Sequence, residues 1–175
     1  MDYLKYSKKR RQEAIRILYE TDLFNRLKRF GKVKQIGSYA LDLMVKPDLD
    51  FALRIKRFSD IDKVIRQILE MSKDIINISF KKVVDRRKLG LDGKSLHLYY
   101  HDKDLWGIDI FVSTKNFSEY DKISKMVKDN ITLKKKKEIL RLKYLAYKSK
   151  KKVKNNSYPI YLSVLDKSMY GPDGI

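Results

Sequence analysis

Apolar positions along this chain fall into two alternating periods, one helical and one strand-like. Ala14, Ile17, Leu18, Phe24 and Leu27 recur at three- and four-residue spacing, which predicts a helix over residues 8–30, ended by Gly31. Val33–Ser38 and Asp48–Ile55 read as short strands, separated by a segment (Tyr39–Val45) with room for one or two helical turns before Pro47 restarts an extended chain. Ser59-Asp60-Ile61-Asp62 is a capping-box-like start for a helix carrying Ile61, Val64, Ile65, Ile68 and Leu69. Ile75–Val84 and Ser95–His101 read as strands flanking a basic, glycine-containing hairpin region at 85–94, and Leu105–Ser113 follows after a tight turn. Helices are expected over Ser118–Asn130, along the basic segment from Thr132, and over Ile160–Met169 before Gly171-Pro172. Together these elements predict an α/β (α+β) fold, a mixed twisted sheet of about five strands with helices packed on one side. A core over 1–130 would carry a basic helical extension over 131–175.

The second strand holds the most informative chemistry. Successive strand side chains point to opposite faces, so Leu49, Phe51, Leu53 and Ile55 enter a core while Asp48 and Asp50 project together from the other face. Two carboxylates side by side on a half-buried strand repel each other unless a cation neutralises them, and hard oxygen ligands suit Mg²⁺. Upstream, Gly37 lets a ligand approach the backbone closely, and Ser38 brings a hydroxyl and an N–H to the same place. A third acid, Asp109, lies within Gly107-Ile108-Asp109-Ile110, where its apolar neighbours account for the inward face. The layout is that of a site for a metal-bound nucleoside triphosphate.

Ile36-Gly37-Ser38, a gap, and Asp48-Leu49-Asp50-Phe51, with Asp109 downstream, resemble the signature of the minimal nucleotidyltransferases of the DNA polymerase β superfamily, over roughly residues 10–130. The resemblance implies that Asp48, Asp50 and Asp109 are catalytic residues that ligate Mg²⁺ or Mn²⁺, with a nucleoside triphosphate as co-substrate. It also implies attack of an acceptor hydroxyl at the α-phosphorus, transferring NMP, with AMP from ATP as the expected donor reaction, and releasing pyrophosphate. Gly37 and Ser38 would hold the phosphate chain. Lys46 and Arg54 are candidates for phosphate contacts, Arg54 equally for a structural ion pair. A small molecule such as an antibiotic, or a protein, is the acceptor expected for a chain this short.

The chain has 175 residues and a formal net charge of +19. Eleven Lys or Arg against one acid lie within 132–154, about half of the excess. Leu133, Leu140, Tyr144 and Tyr147 recur there at helical spacing, which predicts one buried stripe beneath a cationic outer face. A second cluster, Lys8-Lys9-Arg10-Arg11, falls in the first helix. Such faces bind nucleic-acid phosphates weakly and without sequence preference, or simply solvate the protein. A nucleic-acid-binding protein using the basic helix therefore stands beside the transferase, and the family resemblance implies a further alternative, an antitoxin-type or non-catalytic nucleotide-binding partner. His97 and His101, on one strand face, are candidates for metal binding or proton relay.

The absence of cysteine excludes a disulfide framework and a thiolate zinc site. With no charged-then-apolar leader and no apolar run long enough to span a bilayer, a cytoplasmic location without a membrane partner is expected. The last helix is expected to pack on the domain or meet a partner chain, a homodimer being the candidate assembly.

Overall fold

The computed structural model describes residues 1–86, 92–149 and 157–165. Part of the expected hairpin region (87–91), the basic run 150–156 and the tail beyond 165 lie outside the described residues. The first helix, α1 (Tyr3–Thr21), begins before the apolar period because Asp2 caps it, its carboxylate accepting from the Leu4 and Lys5 N–H groups at 3.0 Å each. The single helix expected over 8–30 is broken at Asp22, which adopts φ 48° and separates α1 from α2 (Leu23–Lys28). Thr21 drives the break: its hydroxyl donates back to Ile17 O at 2.7 Å and accepts from Leu23 N at 3.3 Å.

Five strands follow: β1 (Lys32–Ile36), β2 (Asp48–Arg54), β3 (Ile78–Asp85), β4 (Gly93–His101) and β5 (Leu105–Ser113). They form one mixed sheet in the order β1-β2-β5-β4-β3, with β2 and β5 parallel and the other neighbours antiparallel. The helix after β2, α4 (Ile61–Lys73), starts without the expected capping box, because Ser59 is taken into a 3-10 turn over Phe58–Asp60 and the cap position falls on Asp60, whose carboxylate accepts from Arg57 Nε at 2.9 Å. Strand β3 begins later than the apolar run suggests, since Ile75 is drawn into the core and Asn77 turns the chain at φ 69°.

Strand alternation sorts the sheet into two faces. Leu49, Phe51, Leu53, Leu96, Leu98, Ile108 and Ile110 are buried on one, against Ala14 and Ile17 of α1, Leu23 and Leu27 of α2, and Ile61, Ile65 and Ile68 of α4. A second apolar cluster joins Leu43 and Val45 to helices α5 (Ser118–Asn130), α6 (Leu133–Lys148) and α7 (Tyr158–Val164), through Val127, Ile139, Leu140 and Tyr161. The polar face of the sheet lies between these two cores. Among the described residues no helix is long and apolar enough to cross a membrane.

Candidate active site

Side chains paired in register across neighbouring strands share a face, and the register here lines up a row of ionisable groups. Asp50 is opposite Asp109 across β2 and β5, Asp109 is opposite His97 across β5 and β4, and His97 is opposite Lys82 across β4 and β3. Asp48, two residues before Asp50 on the same strand, shares its face. The alternation that buries Leu49 and Phe51 therefore delivers Asp48, Asp50 and Asp109 to the floor of one cleft.

The turn that closes over these acids is tighter than its sequence suggests. The motif helix expected over Tyr39–Val45 is instead a single turn, α3 (Gly37–Ala40), that includes Gly37 and Ser38 themselves. Asp42 leaves it at φ 55°, and Leu43 N returns to Ser38 O at 2.9 Å, so that Leu43, Met44 and Val45 run on as buried loop residues shared between the two cores. Gly37 has φ +66°, and a Cβ there would lie 2.2 Å from Asp50 Oδ2. Only glycine can occupy this position without displacing the carboxylate.

Burial pushes the Asp50 carboxyl up to about 8, with Asp48 and Asp109 adding repulsion and Lys143 and Lys46 opposing it. Asp48 is raised as well, first by burial. Lys143, on α6, is expected from its sequence on the cationic outer face; it is instead 4 % exposed, and its Nζ donates to Leu43 O at 2.7 Å and to Tyr161 Oη at 3.1 Å. Burial lowers its ammonium to about 8, against the attraction of Asp48 and Asp50. The buried stripe of α6 is thus Ile139, Leu140 and Lys143, while Leu133 is 64 % exposed and Tyr147 is also exposed, at the edge of the cleft. Lysine at an inner position three residues after Leu140 is the available sequence signal for this residue.

The carboxylates fit a divalent cation. Asp48 Oδ1 is buried without a hydrogen-bond partner, and Asp48 and Asp50 are desolvated and mutually repelling, a cost that a cation removes. Among the described residues, no three acidic, His or Cys side chains already converge as a ready-made metal cluster. Asp109 is turned to His97, whose Nδ1 is hydrogen-bonded to its Oδ1, and Asp50 Oδ2 lies against Gly37.

The cleft has a volume of about 1280 Å³, larger than the typical pocket for one small ligand, of roughly 300–1000 Å³. Lys46 lies on its wall beside the acids. Arg54 does not join it: at the far end of β2 its guanidinium donates to Asn116 Oδ1. His101 is also outside, bonded to Ser79 Oγ at 2.7 Å, whereas His97 lines the cleft. Cations from elsewhere in the chain line it too: Lys81, Lys82 and Arg86 from β3 and its exit, and Lys125 and Lys128 from α5. An irregularity in β3 between Phe80 and Lys82 places the Lys81 ammonium 4.5 Å from the Tyr99 ring, on the face of His97. Of the described cationic residues on α6, only Lys143 reaches the cleft; Lys134–Lys137, Arg141 and Lys148 do not.

No family model and no curated protein matches the sequence. Solved structures match the fold. Cid1 poly(U) polymerase bound to MgGTP superposes with a TM-score of 0.58 at 16 % identity, over 79 % of this chain and 43 % of that one. Cid1 in complex with its short product ApU gives 0.55 at 15 %, over 83 % and 47 %. A cytoplasmic RNA terminal U-transferase gives 0.54 at 14 %, over 83 % and 46 %. The chain therefore shares the fold of these nucleotidyltransferase structures, a mixed five-stranded sheet with helices. It spans less than half the length of these structures.

Proposed function

We propose that this protein is a divalent-metal-dependent nucleotidyltransferase that moves a nucleoside monophosphate from a nucleoside triphosphate to a hydroxyl acceptor, releasing pyrophosphate. The observation that carries this reading is the arrangement of Asp48, Asp50 and Asp109 from two adjacent parallel strands on one face, against a glycine whose replacement would strike Asp50. The nucleotidyltransferase fold supports it.

Asp48 and Asp50 would hold Mg²⁺ or Mn²⁺, with Asp109 completing the set. The cation, when bound, supplies electrophilic stabilisation of the phosphates and activation of the acceptor oxygen. The chain's own groups do the rest. Gly37 and Ser38 bring backbone N–H groups towards the triphosphate, and Lys46 and Lys143 add positive charge on that side of the acids. With a folded pKa of about 8, Lys143 is mostly an ammonium at neutral pH. Asp109 has one oxygen held by His97, and its Oδ2 is the atom that accepts the hydrogen bond of the acceptor hydroxyl. Tyr147 and Tyr158 line the α6–α7 side with surface on which a base can stack. AMP from ATP is the donor reaction we assign.

One observation bears on the acceptor. Lys81, Lys82 and Arg86 lie beyond His97 in the row, on the Asp109 side, with Lys125 and Lys128 also on the wall. Such a wall repels a polycationic antibiotic of the aminoglycoside kind and attracts phosphate. It favours a second acceptor reading, a nucleic-acid 3′ hydroxyl, over a cationic small molecule. The test is incubation of the purified protein with each labelled NTP and Mg²⁺ or Mn²⁺, against an RNA oligonucleotide, an aminoglycoside and a protein lysate. A labelled NMP adduct on one acceptor, absent in Asp48→Ala, is the result expected; no adduct on any acceptor contradicts the proposal.

A further inference from the structure

We propose that His97 is a positioning residue for Asp109, its Nδ1–H fixing the carboxylate so that the second oxygen faces the acceptor side of the cleft. The inference rests on the nucleotidyltransferase reading above. His97 and Asp109 are direct partners across β4 and β5, and His97 Nδ1 is bonded to Asp109 Oδ1. An ionised carboxylate only accepts hydrogen bonds, so the proton between them belongs to Nδ1. The His97 side chain is 10 % exposed and that of Asp109 50 %. The imidazole is therefore the fixed partner, and the carboxylate the one that reaches into the cleft.

The other ring nitrogen strengthens the case. His97 Nε2 is buried and has no hydrogen-bond partner. With the proton on Nδ1, Nε2 carries only a lone pair, and no buried N–H is left unpaired. A residue kept at this place for packing alone would be apolar, because a half-satisfied buried ring costs stability. What the ring supplies here is a donor aimed at Asp109. Partners of this kind, bonded to a ligating side chain, commonly set affinity or activity by about 10–100-fold.

The test uses the full chain and three substitutions chosen by where they place a donor. His97→Asn sets an amide N–H near the position of Nδ1, His97→Gln sets it further out, and His97→Leu removes it. Thermal melts establish that each variant is folded. In the metal-free wild type, long-range ¹H–¹⁵N NMR of the imidazole is expected to show the proton on Nδ1, and Asp109→Leu is expected to abolish that preference. In NMP transfer, His97→Leu and His97→Gln are expected to lower kcat by about 10–100-fold. The KM for NTP should stay within about threefold. His97→Asn should recover most of the rate. In an Asp109→Asn background, His97→Leu should cost less than about threefold more, because the two residues act through one hydrogen bond. An Asn variant as slow as Leu, undiminished cost in the Asp109→Asn background, or an Nε2–H tautomer in the wild type overturns the proposal. If the wild type transfers no NMP at all, the parent reading fails on its own, and the tautomer with its dependence on Asp109 still decides whether the hydrogen bond exists.

Discussion

Lys143 Nζ donates to the backbone carbonyl of Leu43 at 2.7 Å, tying the middle of a basic helix to the loop between the Gly37 turn and Asp48. The same ammonium faces the electrostatic field of Asp48 and Asp50. One residue of α6 thus steadies the loop that leads from the Gly37–Ser38 turn to Asp48 and adds a cation beside the acids.

Replacing it is expected to affect binding more than folding. Lys143→Met leaves Leu43 O and Tyr161 Oη without their buried donor, a loss of roughly 1–3 kcal/mol, but it also removes the desolvation of an ammonium. Net stability measured by denaturant unfolding should change by less than about 3 kcal/mol. Nucleotide affinity, measured by titration calorimetry with Mn²⁺ present, should fall by about tenfold or more. Unchanged affinity would confine Lys143 to structure.

Gly37→Ala tests the geometry of the turn. The added methyl meets a positive φ, costing about 1–2 kcal/mol, and stands 2.2 Å from Asp50 Oδ2. A variant that melts a few degrees lower yet still folds, with nucleotide binding reduced by an order of magnitude or more, is the expected outcome. Full affinity at normal stability would show that Asp50 need not sit where it does.

The acids also fix how the metal-free protein responds to pH. Asp50 has a folded pKa of about 8, above the unfolded value of 3.8, so between these limits the folded state holds a proton that the unfolded chain has lost. Stability should be fully supported below about pH 4 as far as this group is concerned, and lost progressively as pH rises to about 8. Lys143, lowered from 10.5 to about 8, acts in the opposite sense above that point: the unfolded chain binds the extra proton, and stability rises between about 8 and 10.5. Thermal melts in a chelator should therefore show a shallow minimum near pH 8. Asp50→Asn should make the falling limb shallower, leaving the part due to the raised Asp48, and Mg²⁺ with nucleotide should raise the minimum. Melting temperature rising from pH 5 to 8 in wild type but not in Asp50→Asn would contradict the assignment.

The charge on the molecule divides into two populations with different expected effects. Replacing Lys134–Lys137 by Gln, outside the cleft, should leave nucleotide affinity within about twofold and alter only weak, salt-sensitive polyanion binding. Replacing Lys81 and Lys82 by Gln should weaken RNA binding and reduce its log-log salt slope by about 0.7 for each phosphate that is no longer neutralised. The two sets exchanging these effects would place the acceptor on the outer face of α6.

Much of this arrangement is legible in the chain before folding, for a simple reason. The strand period is fixed at two, so Asp48 and Asp50 must share a face once Leu49 and Phe51 are given to a core. The five strands and α5 follow from the same local rules. What is not legible depends on long-range packing or on competition for a single hydrogen bond. The break at Asp22 turns on the Thr21 hydroxyl, and the missing capping box on the 3-10 turn that takes in Ser59. The shortening of the motif helix to Gly37–Ala40 depends on Leu43, Met44 and Val45 being drawn into two different cores. Lys143 is hard to place from sequence because lysine composition argues for solvent while its helical position argues for the interior. Arg54 shares the acid face, but six residues of extended strand carry it away from Asp48.

Calorimetric titration of nucleotide into wild type and into Asp48→Ala/Asp50→Ala, each with Mg²⁺ and with chelator, is the most direct measurement of whether these acids form a metal–nucleotide site. The wild type should bind triphosphate measurably only with the cation, and the double variant should not bind with or without it. The variant should fold as well as the wild type or better, since two repelling buried carboxylates have been removed. Equal affinity in the two proteins, or wild-type binding that is indifferent to the cation, would contradict the assignment of Asp48 and Asp50 as the centre of the site.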